Sequence, residues 1–285
     1  MLDIAIVGAG PAGLSAAINA VTLNKKVIVF GNDPKTSWLY KAKEVNNHLG
    51  MFGMSGKDMI NAFVNHAKKM NVNIKNGKVI QIMPMGQHFT LNVDNDFFEA
   101  KTVIIATGIP RVKMLKNEEE YIGRGVSYCA TCDGMLYKGR TVIVYGEDKK
   151  AEEEVEFLKG ICAKIYFIPK YKTEITTKDN IEVLNGNPNE ILGNDVVTGL
   201  KLGEKIINGD AVFLLRETTP VKNLLEGLEF DNKIIKVNRE METNIKGVYA
   251  VGDCAGTPYQ LSKAIGEGLV ATQRAVTYIF NEEKK

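Results

Sequence analysis

An apolar run, a glycine-studded turn and a second apolar run follow one another in residues 3–20, DIAIVGAGPAGLSAAINA. Gly8, Gly10 and Gly13 keep the spacing G-x-G-x-x-G between a predicted strand and a predicted helix, the setting in which the motif has a mechanism. The first glycine permits a tight turn, the second lets backbone approach a pyrophosphate, and the third allows close helix–strand packing. The helix that follows offers free N–H groups and the positive end of its dipole to phosphates. A dinucleotide cradle is therefore expected here, with Pro11 and Ala12 inside it. The next strand, KKVIVF, runs into Gly31, Asn32 and Asp33. An acid that binds ribose is expected about 20 residues beyond the turn. Asp33 lies near that distance, but Gly31 takes the more usual place, which leaves the ribose contact open.

Composition removes several alternatives. The chain has 285 residues, 45% of them hydrophobic, enough for one large core or two medium ones. Thirty-six basic and 34 acidic residues leave a net charge of +2, with no sign of a nucleic-acid binder. No run of 18 apolar residues marks a membrane span. The N-terminus enters a core strand without the pattern of a signal peptide, so a cytoplasmic protein is expected. Four cysteines, Cys129, Cys132, Cys162 and Cys254, are too few for a disulfide-built scaffold.

Two later segments repeat the theme of an apolar strand ending in small residues. TVIIATGIP ends at Ala106-Thr107-Gly108, and GVYAVGDCAG at Gly252-Asp253. With the opening motif, these segments resemble the two-dinucleotide-domain flavoproteins. That resemblance implies an α/β chain with two Rossmann-like domains, the FAD domain being discontinuous: residues 1–111 and 240–285 around an inserted central domain, 112–239. It implies FAD contacts at Gly8, Gly10, Pro11, Ala12, Gly13, Gly31, Asn32, Asn47, Val79, Ala106, Thr107, Gly108, Gly252 and Asp253. A helix starting near Gln260 would point its N-terminus at the flavin.

The cysteines supply the chemistry. YCATCDG places Cys129 and Cys132 at C-x-x-C spacing. A zinc site needs two more ligands; no second C-x-x-C exists and His48, His66 and His88 lie far upstream, so no metal is expected. A redox disulfide is the better reading. Cys-Ala-Thr-Cys-Asp-Gly just before the central domain's first strand resembles the low-molecular-weight thioredoxin reductases, essentially end to end. The resemblance implies that Cys132 faces the flavin, that Cys129 attacks the disulfide of thioredoxin, and that Asp133 protonates the thiolate. It also implies a homodimer. Cys162 and Cys254 are expected to be buried small hydrophobes.

The central domain opens with TVIVYGEDKKAEEEVEFL, a second strand–turn–helix. Reductases of this family that use NADPH carry G-G-G-x-S/N-A here and H-R-R-x-x-x-R after the next strand. This chain has Gly146-Glu147-Asp148-Lys149-Lys150-Ala151, then Pro169-Lys170-Tyr171-Lys172 without arginine, and Arg216 where the family has a glycine. Carboxylates at 147 and 148 would crowd and repel phosphates. A flavin and a disulfide without a nicotinamide site resemble the ferredoxin-dependent flavin thioredoxin reductases, which implies ferredoxin as donor. Lys25, Lys26, Lys35, Lys41 and Lys43, or Lys149, Lys150, Lys170 and Lys172, are candidates to dock that acidic partner. Trp38, the one tryptophan, is a candidate to cover the flavin. An NAD(P)H-dependent enzyme with an atypical site and a non-catalytic redox sensor remain rival readings.

Overall fold

Ile4 to Val7 are 0–5% exposed, as in a strand covered on both faces. In the computed structural model, which describes residues 1–37, 39–108, 114–216 and 220–284, they form the centre of β1 (Leu2–Val7). There follow α1 (Pro11–Thr22), β2 (Val27–Gly31), α2 (Gly56–Lys69), β3 (Asn73–Asn76), β4 (Val79–Pro84), β5 (Phe89–Val93) and β6 (Asp96–Ile105). The sheet order is β3-β2-β1-β6-β5-β4. β1 pairs in parallel with both β2 and β6, whereas β4, β5 and the first half of β6 form an antiparallel meander. α2 starts where Ser55 caps it: its hydroxyl oxygen accepts the Asp58 N–H and its O–H donates to the Asp58 carboxylate. Trp38 lies outside the described residues.

A second compact unit spans Val112–Thr219. In chain order it contains β7 (Val126–Ser127), α3 (Ala130–Asp133), β8 (Thr141–Gly146), α4 (Ala151–Lys159), β9 (Lys164–Pro169), β10 (Ile181–Val183), β11 (Pro188–Gly193), β12 (Val197–Leu202), β13 (Lys205–Asn208) and β14 (Ala211–Leu215). The parallel sheet has the order β10-β9-β8-β14-β7, and β11 to β13 form a separate antiparallel sheet. Two apolar layers cover the parallel sheet, one including Val155, Leu158 and Phe167, the other Tyr128, Ile143 and Leu200.

The chain then returns to the first unit, which comprises Met1–Arg111 and Pro220–Lys285. It adds the hairpin β15 (Phe230–Asp231) and β16 (Ile234–Ile235), then β17 (Val248–Ala250) and α5 (Leu261–Glu282). β17 pairs in parallel with Val103–Ile105 of β6, beyond the stretch of β6 that β5 occupies. α5 lies close on α1, where a Cβ at Gly268 would come within 2.4 Å of the Ala12 carbonyl oxygen. Ser15 Oγ donates to the Ile265 carbonyl and Thr272 Oγ1 to that of Ala16, tying the two helices together.

The return differs from the boundary expected at residue 240. Residues 220–239 belong with the first unit, where Val221, Leu224, Leu225, Leu228 and Ile235 are buried beside Phe30, Val79 and Val103. The Ile82 N–H donates to the Leu224 carbonyl at 2.6 Å. The reason is coverage: helices shield one face of the sheet, and this leucine-rich segment shields the other. The first crossing, expected between 111 and 112, falls within residues 109–113, outside the described residues.

Candidate functional site

The first glycine turn lies at the carboxyl ends of β1, β2, β6 and β17. The sheet reverses its winding at β1, with β2 on one side and β6 on the other, which is where an open α/β sheet leaves a crevice. Gly8 has φ +123°, and a Cβ there would lie 2.2 Å from the Ala106 carbonyl oxygen, so only glycine fits. Gly13 packs as closely on the Gly8 carbonyl, at 1.9 Å from its would-be Cβ. Gly10 caps α1 with no side chain, Pro11 takes the first helical position, and a Cβ at Gly10 would meet nothing within 4 Å. Space beside Gly10, at the start of α1, is thus open among the described residues.

The other expected contacts divide. Gly31 ends β2, with its would-be Cβ 2.8 Å from the Ala9 nitrogen; Asn32 follows, and Asp33 caps a short 3-10 turn by accepting the Lys35 N–H. Ala106 N–H donates to the Val7 carbonyl, which brings Ala106-Thr107-Gly108 against the glycine turn. Thr107 Oγ1 is buried and has no hydrogen-bond partner among the described residues. Asn47 Nδ2 donates to Gln260 Oε1 at 2.8 Å, joining two expected residues 213 positions apart. Val79 is a 5% exposed core residue at the start of β4.

Around Gly252 and Asp253 the structure adds two residues that the motifs do not reveal. Lys263 Nζ donates to the carbonyls of Gly252 and Gly256 and pairs with Glu267 at 3.0 Å. Glu267 Oε2 in turn accepts the Gly252 N–H at 2.8 Å. Their i,i+4 spacing at the start of α5 was the available signal. Burial raises the Asp253 carboxyl, the Lys263 ammonium opposes this, and Glu267 adds to it. A buried orphan hydroxyl, an uncapped helix start and close backbone at the glycines all fit a pyrophosphate-bearing cofactor.

Cys129 and Cys132 are joined in a disulfide with Cα atoms 5.4 Å apart. Cys129 caps α3, its sulfur accepting the Cys132 N–H, and is 4% exposed, whereas Cys132 is exposed. The Ser127 hydroxyl donates to Asp133 Oδ2 at 2.7 Å and accepts the Cys129 N–H. Glu154, in the first turn of α4, accepts the Ala130 N–H at 2.6 Å. Cys162 and Cys254 are free and buried, and burial pushes the Cys162 thiol up to about 11.

At the second glycine turn, the carboxyl end of β8, this chain's own groups occupy the anion-binding positions. Gly146 is retained for packing: a Cβ there would lie 2.7 Å from Ala151 Cβ and 3.1 Å from the Phe167 ring. Glu147 N–H donates to the Leu215 carbonyl, and its carboxylate pairs with Lys170 at 3.4 Å. Asp148 Oδ1 accepts the Lys150 N–H. The N–H groups at the start of α4, which a phosphate would need, already have partners: those of Ala151, Glu152 and Glu153 donate to the carbonyls of Asp148, Lys149 and Lys150. At the end of the adjacent strand β14, Arg216 sends both terminal nitrogens to Glu118, at 2.5 and 3.0 Å; the two residues are 3% and 0% exposed. Sequence reading noticed Arg216 but not its partner, which lies 98 positions away.

The profile of the family described as pyridine nucleotide-disulphide oxidoreductase matches residues 2–148 and 155–268, and the chain belongs to that family. Its particular plan is that of the thioredoxin reductase-type two-domain flavoproteins, and it is a disulfide reductase of that type. A thioredoxin reductase of Aquifex aeolicus is 34% identical over 273 residues, covering 88% of this chain and 84% of that protein. A crystal structure of a ferredoxin-flavin thioredoxin reductase from Clostridium acetobutylicum superposes with a TM-score of 0.90 at 44% identity, over 98% of both chains. A thioredoxin reductase from Lactococcus lactis, in its FR conformation, superposes with a TM-score of 0.58 at 26% identity, over 99% of this chain and 100% of that one.

Proposed function

We propose that this chain carries electrons from reduced ferredoxin, through FAD and the Cys129–Cys132 disulfide, to thioredoxin. The observation that carries the reading is the contrast between the two glycine turns. The first leaves open space at Gly10, whereas at the second Glu147 and Asp148 stand in the turn, the N–H groups at the start of α4 already have partners, and Arg216 is consumed by Glu118. Similarity to the ferredoxin-flavin thioredoxin reductase of Clostridium acetobutylicum supports the same donor.

In this reading Gly8 to Gly13 and the start of α1 hold the pyrophosphate of FAD. Ala106 to Gly108, Gly252 and Asp253 line the rest, with Lys263 and Glu267 fixing the turn that presents Asp253. FAD, when bound, supplies the exchange between single electrons from ferredoxin and the electron pair a disulfide needs. Two electrons and two protons convert the Cys129–Cys132 disulfide to two thiols. The Cys129 thiolate then attacks one sulfur of thioredoxin's disulfide, Asp133 protonates the departing thiolate, and Cys132 resolves the mixed disulfide. Cys129 is 4% exposed, so exchange with a protein partner requires a form in which this residue opens. Ferredoxins near −400 mV and thioredoxin near −270 mV differ by about 130 mV, roughly 6 kcal/mol for two electrons.

The test is anaerobic and optical. Purified protein is mixed with NADPH, with NADH and with reduced ferredoxin while the flavin band is followed. Ferredoxin alone is expected to bleach it, and oxidised thioredoxin to restore it. Bleaching by NADPH within turnover time would reassign the donor.

A further inference from the structure

Taking a carboxylate and a guanidinium out of water is costly, and a well-packed apolar pair serves stability as well or better. The buried Glu118–Arg216 pair therefore raises the question of what else it holds. Glu118 Oε1 accepts from Arg216 Nη1 and from the Tyr128 hydroxyl at 2.8 Å. Its Oε2 accepts from Arg216 Nη2 and from the Leu115 N–H at 2.7 Å. Four donors on one carboxylate, two of them a rigid guanidinium fork, leave it a single orientation.

Tyr128 is 7% exposed and is the residue immediately before Cys129. Its phenol ties the chain entering the disulfide to the ion pair. On the far side of Cys129, Glu154 holds the Ala130 N–H. The cysteine is thus anchored on both flanks by carboxylates, and Arg216 orients one of them. We propose that Arg216 and Glu118 are positioning residues for the Cys129–Cys132 disulfide, acting through Tyr128. The proposal rests on the disulfide being exchanged in turnover and is independent of which donor reduces the flavin.

The chemistry is the two-electron, two-proton reduction of one S–S bond to two thiols, with a dithiol as the reductant that is itself oxidised to a disulfide. A firmly held entry segment keeps one sulfur near the other and so raises the effective concentration of the attacking thiol. Loosening the segment shifts the equilibrium toward the dithiol.

The test equilibrates the full-length protein in graded dithiothreitol redox buffers, followed by alkylation and mass mapping of Cys129 and Cys132. Tyr128→Phe removes one hydroxyl, and Arg216→Lys keeps the charge but loses the fork. Each is expected to raise the equilibrium constant for reduction at least threefold, about 14 mV for this two-electron couple. Val197→Ala, in the same apolar layer as Tyr128, serves as the control. It is expected to lower thermal stability and leave the equilibrium unmoved. A wild-type equilibrium in Tyr128→Phe or in folded Arg216→Lys, or an equal shift in Val197→Ala, overturns the proposal. Should Arg216→Lys not fold, Tyr128→Phe decides alone.

Discussion

Thr107 carries a buried hydroxyl with no partner at normal hydrogen-bond distance among the described residues, the Cys254 thiol being a polar neighbour. Its neighbour Cys254, a thiol raised by burial, gives its own proton to the carbonyls of Ile105 and Val251. An unsatisfied buried hydroxyl costs about 1–3 kcal/mol. Thr107→Val is therefore expected to leave the cofactor-free chain as stable as wild type or more so, by thermal unfolding. If the hydroxyl serves FAD, the same variant binds FAD roughly tenfold more weakly, a loss of about 1.4 kcal/mol. Titration of FAD into the cofactor-free protein checks this, and unchanged affinity would remove Thr107 from the cradle. At this scale the sequence showed which residues were unusual but not what they touch. Arg216 stood out in LLRETTP, yet nothing local to it predicts a carboxylate 98 residues earlier.

Between elements, an ion network joins β1, β6 and the residues just beyond α5. Lys101 lies 2.9 Å from Asp3 and 2.6 Å from Glu283, and these hydrogen bonds, Glu283 first, raise its ammonium. Burial raises the Asp3 carboxyl, but the Lys26 N–H and the Lys101 ammonium overbalance it, so the carboxyl sits below its ordinary value. A lowered carboxyl stabilises the fold above the ordinary aspartate range, near 3.9, and the contribution disappears as pH falls through the lowered value. Lys101→Met is expected to cost about 0.5–1 kcal/mol at pH 7. Denaturant titrations at pH 7 and pH 3 check it: the gap to wild type should narrow at the lower pH. A gap of the same size at both would assign the loss to packing of the lysine stem. Elements themselves were largely legible, because β1, α1, β8 and α4 each carry their own periodicity and turn chemistry. The network was not, because Asp3 and Glu283 stand at opposite ends of the chain.

For the whole molecule, a net charge of +2 leaves little overall field, so attraction of an acidic donor depends on local lysines. Lys149 pairs with Glu174 and Lys170 with Glu147, which weakens the candidates on the second unit. Lys26, Lys35, Lys41 and Lys43 are exposed on the first. If these lysines steer ferredoxin, kcat/KM for that donor should fall severalfold between about 20 and 200 mM salt, as the Debye length shrinks below about 10 Å. Stopped-flow reduction of the flavin measures it, and a flat profile would discard steering.

Glycine spacing, strand periodicity and a C-x-x-C pair are local properties, and these, with the family resemblance they carry, made a two-domain α/β flavoprotein with a redox disulfide the outcome to expect from sequence alone. Only the tertiary structure decided where the insert ends, because an apolar segment such as 220–239 joins whichever sheet face is left uncovered. It alone decided that Glu118, Arg216 and Tyr128 meet, and that Glu154 reaches the backbone beside Cys129. Hydrogen bonds between distant positions are set by how the sheets stack, and no window of sequence contains both partners.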